Sequence, residues 1–118
     1  MRLLIVEDEE KTAAYLKKGL SESGFVVDHA NDGEEGVFLA SQTSYDLIIL
    51  DVMMPKLDGY QTCALVKHNQ DFKDIPIIML SSKDGVYDKA KARVVGANDF
   101  ISKPFTSEDL INAIKNIK

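Results

Sequence analysis

Five short apolar runs, rich in β-branched residues, punctuate the chain: "RLLIV" (2–6), "FVVDHA" (25–30), "YDLIIL" (45–50), "IPIIML" (75–80) and "DFIS" (99–102). Each is too short for a buried helix, and the three most apolar lack the polar alternation of a strand with one wet face. They read as strands covered on both sides. A helical stretch follows each of them. Five such alternations define an α/β fold, a parallel sheet with helices on both faces. Right-handed crossovers restrict the topology further, and order 2-1-3-4-5 is the common five-stranded solution.

The intervening stretches carry helix patterns with caps. In 7–24, Ala13, Leu16 and Leu20 share one face, acids crowd the first turn, and Gly24 ends the helix. Residues 31–44 follow with Asp32 or Asn31 as cap. A loop over 55–60 leads into a helix at 61–69. In 84–96, Tyr87, Ala90 and Val94 share a face and Gly96 ends the helix. In 106–118, Thr106 and Asp109 have capping-box spacing, and Leu110, Ala113, Ile114 and Ile117 form the apolar stripe. With no linker-like or low-complexity segment, one domain over 1–118 is expected.

Charge and cysteine usage narrow the function classes. Net charge is −5, which disfavours direct nucleic-acid binding, since that needs a basic surface to displace counterions. The single cysteine, Cys63, permits no disulfide within the chain and suits a reducing compartment. No apolar run approaches the ~18 residues of a membrane span, and the acidic N-terminal segment does not read as a signal peptide. A cytoplasmic location is expected. His29 and His68 stand without companions, so no histidine metal site is expected.

Chemistry collects at the carboxyl ends of the strands, where ligands bind in open parallel sheets. Glu7 and Asp8 end the first strand, Asp51 the third, Ser81 and Ser82 the fourth, and Lys103 the fifth. Taken singly, each has a bland reading: acids cap helices, an Asp after a strand makes a turn, a serine bonds backbone, a lysine is solvated. Their joint placement at four strand ends is harder to reach by accident. Three neighbouring carboxylates raise one another's pKa and call for a cation; hard oxygen ligands at an open site suit Mg²⁺. A hydroxyl and a lysine facing them would stabilise a phosphoryl group on one carboxylate, which points to phosphoryl transfer to Asp51.

The residues that carry this pattern, the acidic pair in "IVEDE", "LIILDVMMPKLDG", "IPIIMLSS" and "GANDFISKPF", resemble the receiver domain of two-component response regulators, the CheY-like family with its flavodoxin-like three-layer sandwich. The likeness runs nearly end to end. It implies that Asp51 is the phosphoacceptor and that a histidine kinase or phosphotransfer protein supplies the phosphoryl group. It implies Mg²⁺ held by Asp8 and Asp51, by Glu7 through water, and by the backbone carbonyl of Met53. Ser81 matches the switch hydroxyl, Phe100 the switch aromatic, and Lys103 the lysine that pairs with the phosphoryl oxygens, its bond to Pro104 commonly being cis. The output surface implied is helix 4, strand 5 and helix 5. Met53 and Lys83 match positions that tune hydrolysis. An apolar Met53 cannot orient an attacking water, so the acyl phosphate is expected to last minutes or longer; a hydrolysis time course completed in seconds would contradict this.

The two halves resemble different subfamilies. Residues 2–28 and 45–55 are similar to regulators that carry a winged-helix DNA-binding domain, and 68–114 to stand-alone receivers of the chemotaxis and pilus-motility kind, as natural divergence or a chimera would produce. A monomer or a weak phosphorylation-dependent dimer is expected, with output through protein contact. Lys83, Lys89, Lys91 and Arg93 read as a solvated face or as a docking surface for an acidic partner. Other classes fit less well. A haloacid-dehalogenase-like phosphatase needs a second Asp where Met53 stands, and "EDEE" would repel the phosphate of a flavodoxin's flavin. A pseudo-receiver binding module or a constructed receiver would share the fold without physiological phosphotransfer.

Overall fold

The computed structural model describes residues 1–54, 57–82 and 86–117. Its strands are β1 (Arg2–Val6), β2 (Val26–Ala30), β3 (Leu47–Asp51), β4 (Ile77–Ser81) and β5 (Asp99–Ser102). The helices are α1 (Glu10–Glu22), α2 (Gly33–Gln42), α3 (Gly59–His68), α4 (Val86–Val94) and α5 (Ser107–Ile117). All strand pairs are parallel, in the order β2-β1-β3-β4-β5. This is the expected CheY-like, flavodoxin-like topology.

The unbroken apolar runs are explained by two cores. Leu4, Val6, Ile48, Leu50, Ile77 and Met79 point to one side, where α2, α3 and α4 cover them with Ala40, Tyr60, Cys63, Val66 and Ala92. Their strand neighbours Leu3, Ile5, Leu47, Ile49, Ile78 and Leu80 point to the other, under Leu16 and Leu20 of α1 and Leu110, Ala113 and Ile114 of α5. Successive side chains of a strand face opposite ways, so only a sheet covered on both sides can use such runs.

Caps fix the helix ends. Asp32, rather than Asn31, caps α2, accepting a bond from the Glu35 N–H at 2.8 Å. Gly24 ends α1 with φ of 94°, a backbone conformation that favours glycine. The capping box of α5 forms in both directions: the Asp109 N–H donates to Thr106 Oγ1 and the Thr106 N–H to Asp109 Oδ2, each at 3.0 Å. The third helix starts two residues before the expected 61, because Asp58 and Gln61 make a reciprocal cap.

On α4 the residues that share a face by spacing point outward. Tyr87 is 75% exposed, Val94 is 84% exposed and Ala90 is exposed as well. The side that packs inward carries Ala92 and Val95. Spacing identifies which residues share a face, and here it did so correctly. It cannot say which face is buried when the helix lies at a sheet edge and, among the described residues, buries little.

Candidate active site at the carboxyl edge of the sheet

Pairing places four strand ends at one rim. β1 and β3 are neighbours, so Glu7 and Asp51 each emerge beside the point where the winding direction reverses. Glu7 is 2% exposed and Asp51 is 3% exposed, whereas Asp8 is exposed. One carboxylate oxygen from each of the three lies within 4.8 Å of the others. Lys103, delivered by β5, reaches across β4 to place Nζ 2.9 Å from Asp51 Oδ1 and 3.8 Å from Glu7 Oε1. The Lys103 N–H donates to the Ser81 carbonyl at 2.7 Å, which ties the lysine's backbone to the end of β4. The Lys103–Pro104 peptide bond is cis, as the family resemblance implied.

Ser81 is buried at the end of β4, one residue beyond Leu80, which pairs with Asp51. Met53, two residues past Asp51, is 54% exposed, so its side chain is not part of the packed site. Phe100 is half-buried against the core under α4, beside a groove of about 290 Å³ lined by Lys89, Arg93 and Asp99. Lys91 lies over the Tyr60 ring, 4.6 Å from its centroid. Lys83 lies outside the described residues.

Glu7 carries the strain of the site. Burial raises its pKa well above the usual carboxylate range, and the Asp51 charge adds to that; the Glu9 N–H and Lys103 oppose it. The Glu9 N–H donates to Oε2 at 3.2 Å. Oε1 is buried and, among the described residues, has no hydrogen-bond partner; Lys103 is too far for a hydrogen bond and contributes charge alone. An orphaned buried carboxylate oxygen beside two further carboxylates fits a hard divalent cation, which would satisfy it directly or through water. The donor set is all oxygen, and softer metals that prefer sulfur or imidazole are not matched.

Two contacts at this rim had no signal in the sequence. His29, the fourth residue of β2, has Nε2 2.7 Å from the Glu7 carbonyl oxygen. Gly59 sits against the backbone of Asp51 and Val52: a Cβ added there would lie 2.5 Å from the Asp51 carbonyl oxygen. Among the described residues no helix is long and apolar enough to cross a membrane.

Residues 3–115 match the family described as the response regulator receiver domain. Protein PilG of Pseudomonas aeruginosa is 44% identical, with 98% of this chain and 85% of that protein covered. The transcriptional regulatory protein PcoR of Escherichia coli is 43% identical over 98% of this chain, which spans only half of that relative's length. Among solved structures, chemotaxis protein CheY4 of Vibrio cholerae superposes with a TM-score of 0.95 at 29% identity, covering 99% of this chain and 98% of that one. The receiver domain of a sensor histidine kinase of Pseudomonas aeruginosa, solved with a magnesium ion in its active-site cleft, gives a TM-score of 0.90 at 28% identity, covering 98% of this chain and 94% of that one. The rim of carboxylates and lysine thus sits on a fold and a sequence that agree, and the chain belongs to the response regulator receiver domain family.

Proposed function

We propose that Asp51 is the residue that accepts the phosphoryl group, in a Mg²⁺-dependent transfer from the phosphohistidine of a histidine kinase or phosphotransfer protein. The observation that carries this reading is the meeting of Glu7, Asp8 and Asp51 within ligand distance of one another, with Lys103 already on Asp51. Glu7, Asp8 and Asp51, with the Met53 backbone carbonyl, are the residues that would hold the ion. Mg²⁺ bound there supplies positive charge against the phosphoryl oxygens during transfer.

The chain's own groups do the rest. The Asp51 carboxylate attacks phosphorus as the P–N bond to the donor imidazole breaks, and the imidazole leaves with the electron pair. Lys103 orients Asp51 beforehand. Once the carboxylate has become an acyl phosphate, the same ammonium faces the new oxygens. Ser81, at the adjoining strand end, donates its hydroxyl to them, and Phe100 follows into the space that Ser81 vacates. Output then passes through the surface of α4, β5 and α5 to a protein partner, the domain itself acting as a monomer or as a weak phosphorylation-dependent dimer in the cytoplasm. On subfamily, both kinds of relative match over nearly the whole chain, so this reading needs no junction between halves, and a chimeric origin stays a reading of the sequence alone.

The test is an intact mass measurement after incubation with Mg²⁺ and a small phosphoramidate or acyl phosphate, with Asp51→Ala as control. One phosphoryl group is expected, lost on removing Mg²⁺ or Asp51. No gain in a folded protein would turn the reading to a binding module that keeps the fold without the chemistry.

A further inference from the structure

We propose that His29 is a positioning residue for the cation site, holding the Glu7–Asp8 peptide through a ring N–H. This rests on the reading of Glu7 and Asp8 as cation ligands. A carbonyl oxygen only accepts, so the His29 Nε2 that lies 2.7 Å from the Glu7 oxygen carries a proton and donates it.

The bond stands where the β1–β2 ladder runs out. The Glu7 N–H makes a backbone bond of the series, to the Ala30 carbonyl at 3.1 Å. Beyond it the chain turns into α2: the Asn31 N–H is taken by Glu35 Oε1 at 3.0 Å, and Asp32 becomes the α2 cap. The Glu7 carbonyl would otherwise face the strand end without a ladder donor, and a buried carbonyl left so costs free energy. The His29 ring fills that place from within β2.

The consequence falls on Asp8. The peptide unit is planar, so fixing the Glu7 carbonyl also fixes the direction in which the Asp8 backbone leaves β1. Asp8 is exposed and carries one of the three clustered carboxylates. A group that anchors the backbone beneath a ligand sets how well that ligand is presented, and loss of such support typically lowers metal affinity about 10- to 100-fold. A hollow of about 250 Å³ beside His29, lined also by Glu10, Ala13 and Lys17, gives replacement side chains room without overpacking.

The experiment uses two near-isosteric replacements. In His29→Gln the amide N–H₂ can reach the Glu7 carbonyl; in His29→Met no donor remains. Mg²⁺ is titrated into the unphosphorylated protein and followed by amide NMR shifts, with no phosphoryl donor present. His29→Met is expected to weaken Mg²⁺ binding about tenfold, and His29→Gln to stay within about twofold of the parent. Phosphorylation at saturating Mg²⁺ is expected to be unchanged in both, with only the half-saturating Mg²⁺ concentration raised in His29→Met. Parent-like binding by His29→Met, or equal weakening in both variants, would overturn the proposal. Should His29→Met fail to fold, His29→Asn, too short to reach the carbonyl, takes its place with the same expected contrast to His29→Gln. Parent protein that binds no Mg²⁺ would overturn the reading of the site itself, whereas binding by the parent with no difference among the variants removes only the role of His29.

Discussion

Glu7→Gln is expected to make the metal-free protein more stable and its cation site weaker. The wild-type side chain buries a carboxylate with one oxygen that has no hydrogen-bond partner among the described residues, next to the Asp51 carboxylate. An amide of the same shape removes the charge while leaving the Lys103–Asp51 pair at 2.9 Å intact. A buried charge without sufficient partners costs a few kcal/mol, so a gain of about 1–3 kcal/mol is expected in urea denaturation near pH 8. The sign follows from linkage. The folded-state pKa of Glu7 is raised, so folding favours its protonated form, and the wild type loses stability as pH rises from the ordinary carboxylate pKa of about 4.3 through the raised value. The advantage of the glutamine should therefore vanish in acid, where both side chains are neutral, and grow toward alkaline pH. In the same variant Mg²⁺ affinity should fall by about tenfold or more, because a charged oxygen ligand is gone. An unchanged or lower stability at pH 8 would mean that the orphaned oxygen is satisfied in solution.

Gly59→Ala should move in the opposite direction, costing both stability and chemistry. Alanine is ordinarily favoured over glycine inside a helix by about 1 kcal/mol. Here the added carbon would meet the Asp51 carbonyl oxygen at 2.5 Å and the Val52 Cα at 2.7 Å. Both obstacles are backbone, and the Gly59 N–H is already bonded to the Val52 carbonyl at 3.0 Å, so neither can swing aside as a long side chain would. The clash wins, and a net loss of about 3 kcal/mol or more is expected. The strand end that yields is the one that carries Asp51, so the rate of phosphorylation should drop even where the protein stays folded. Chemical denaturation and the mass measurement after exposure to a phosphoryl donor check the two halves of this result. A variant as stable and as reactive as the wild type would show that α3 does not press on Asp51 as described.

These two residues also mark where sequence reasoning reaches and where it stops. Glu7 could be placed because a parallel sheet brings strand ends to one rim, and the unbroken runs at Leu47–Leu50 and Ile77–Leu80 force such a sheet. Asp51, Asp8, Ser81 and Lys103 followed by the same logic. Gly59 could not, since a glycine after an aspartate reads as a turn, and only the approach of α3 to β3 gives it a neighbour. His29 was equally silent: a histidine late in a strand has no pattern that names its partner. The inward face of α4 was left open for a third reason. Its two candidate faces, Tyr87–Ala90–Val94 and Ala92–Val95, are both apolar, and only the packed structure tells which one meets the sheet.

That orientation has an energetic corollary for signalling. Ala92 is one methyl group, and Val95 is only partly covered. At roughly 0.8 kcal/mol per buried CH₂, the fully buried part of this anchorage among the described residues is small beside the Leu16, Leu20, Leu110 and Ile114 that seat α1 and α5. A two-state element is overturned from 1:99 to 99:1 by about 5.5 kcal/mol of differential interaction. On the proposed reading, a doubly charged group on Asp51 would draw on Lys103 and Ser81 for charge-assisted interactions of that order. A more deeply rooted helix would resist the same push; under the proposed function, a lightly moored one would let a single covalent event at Asp51 be read at a distance.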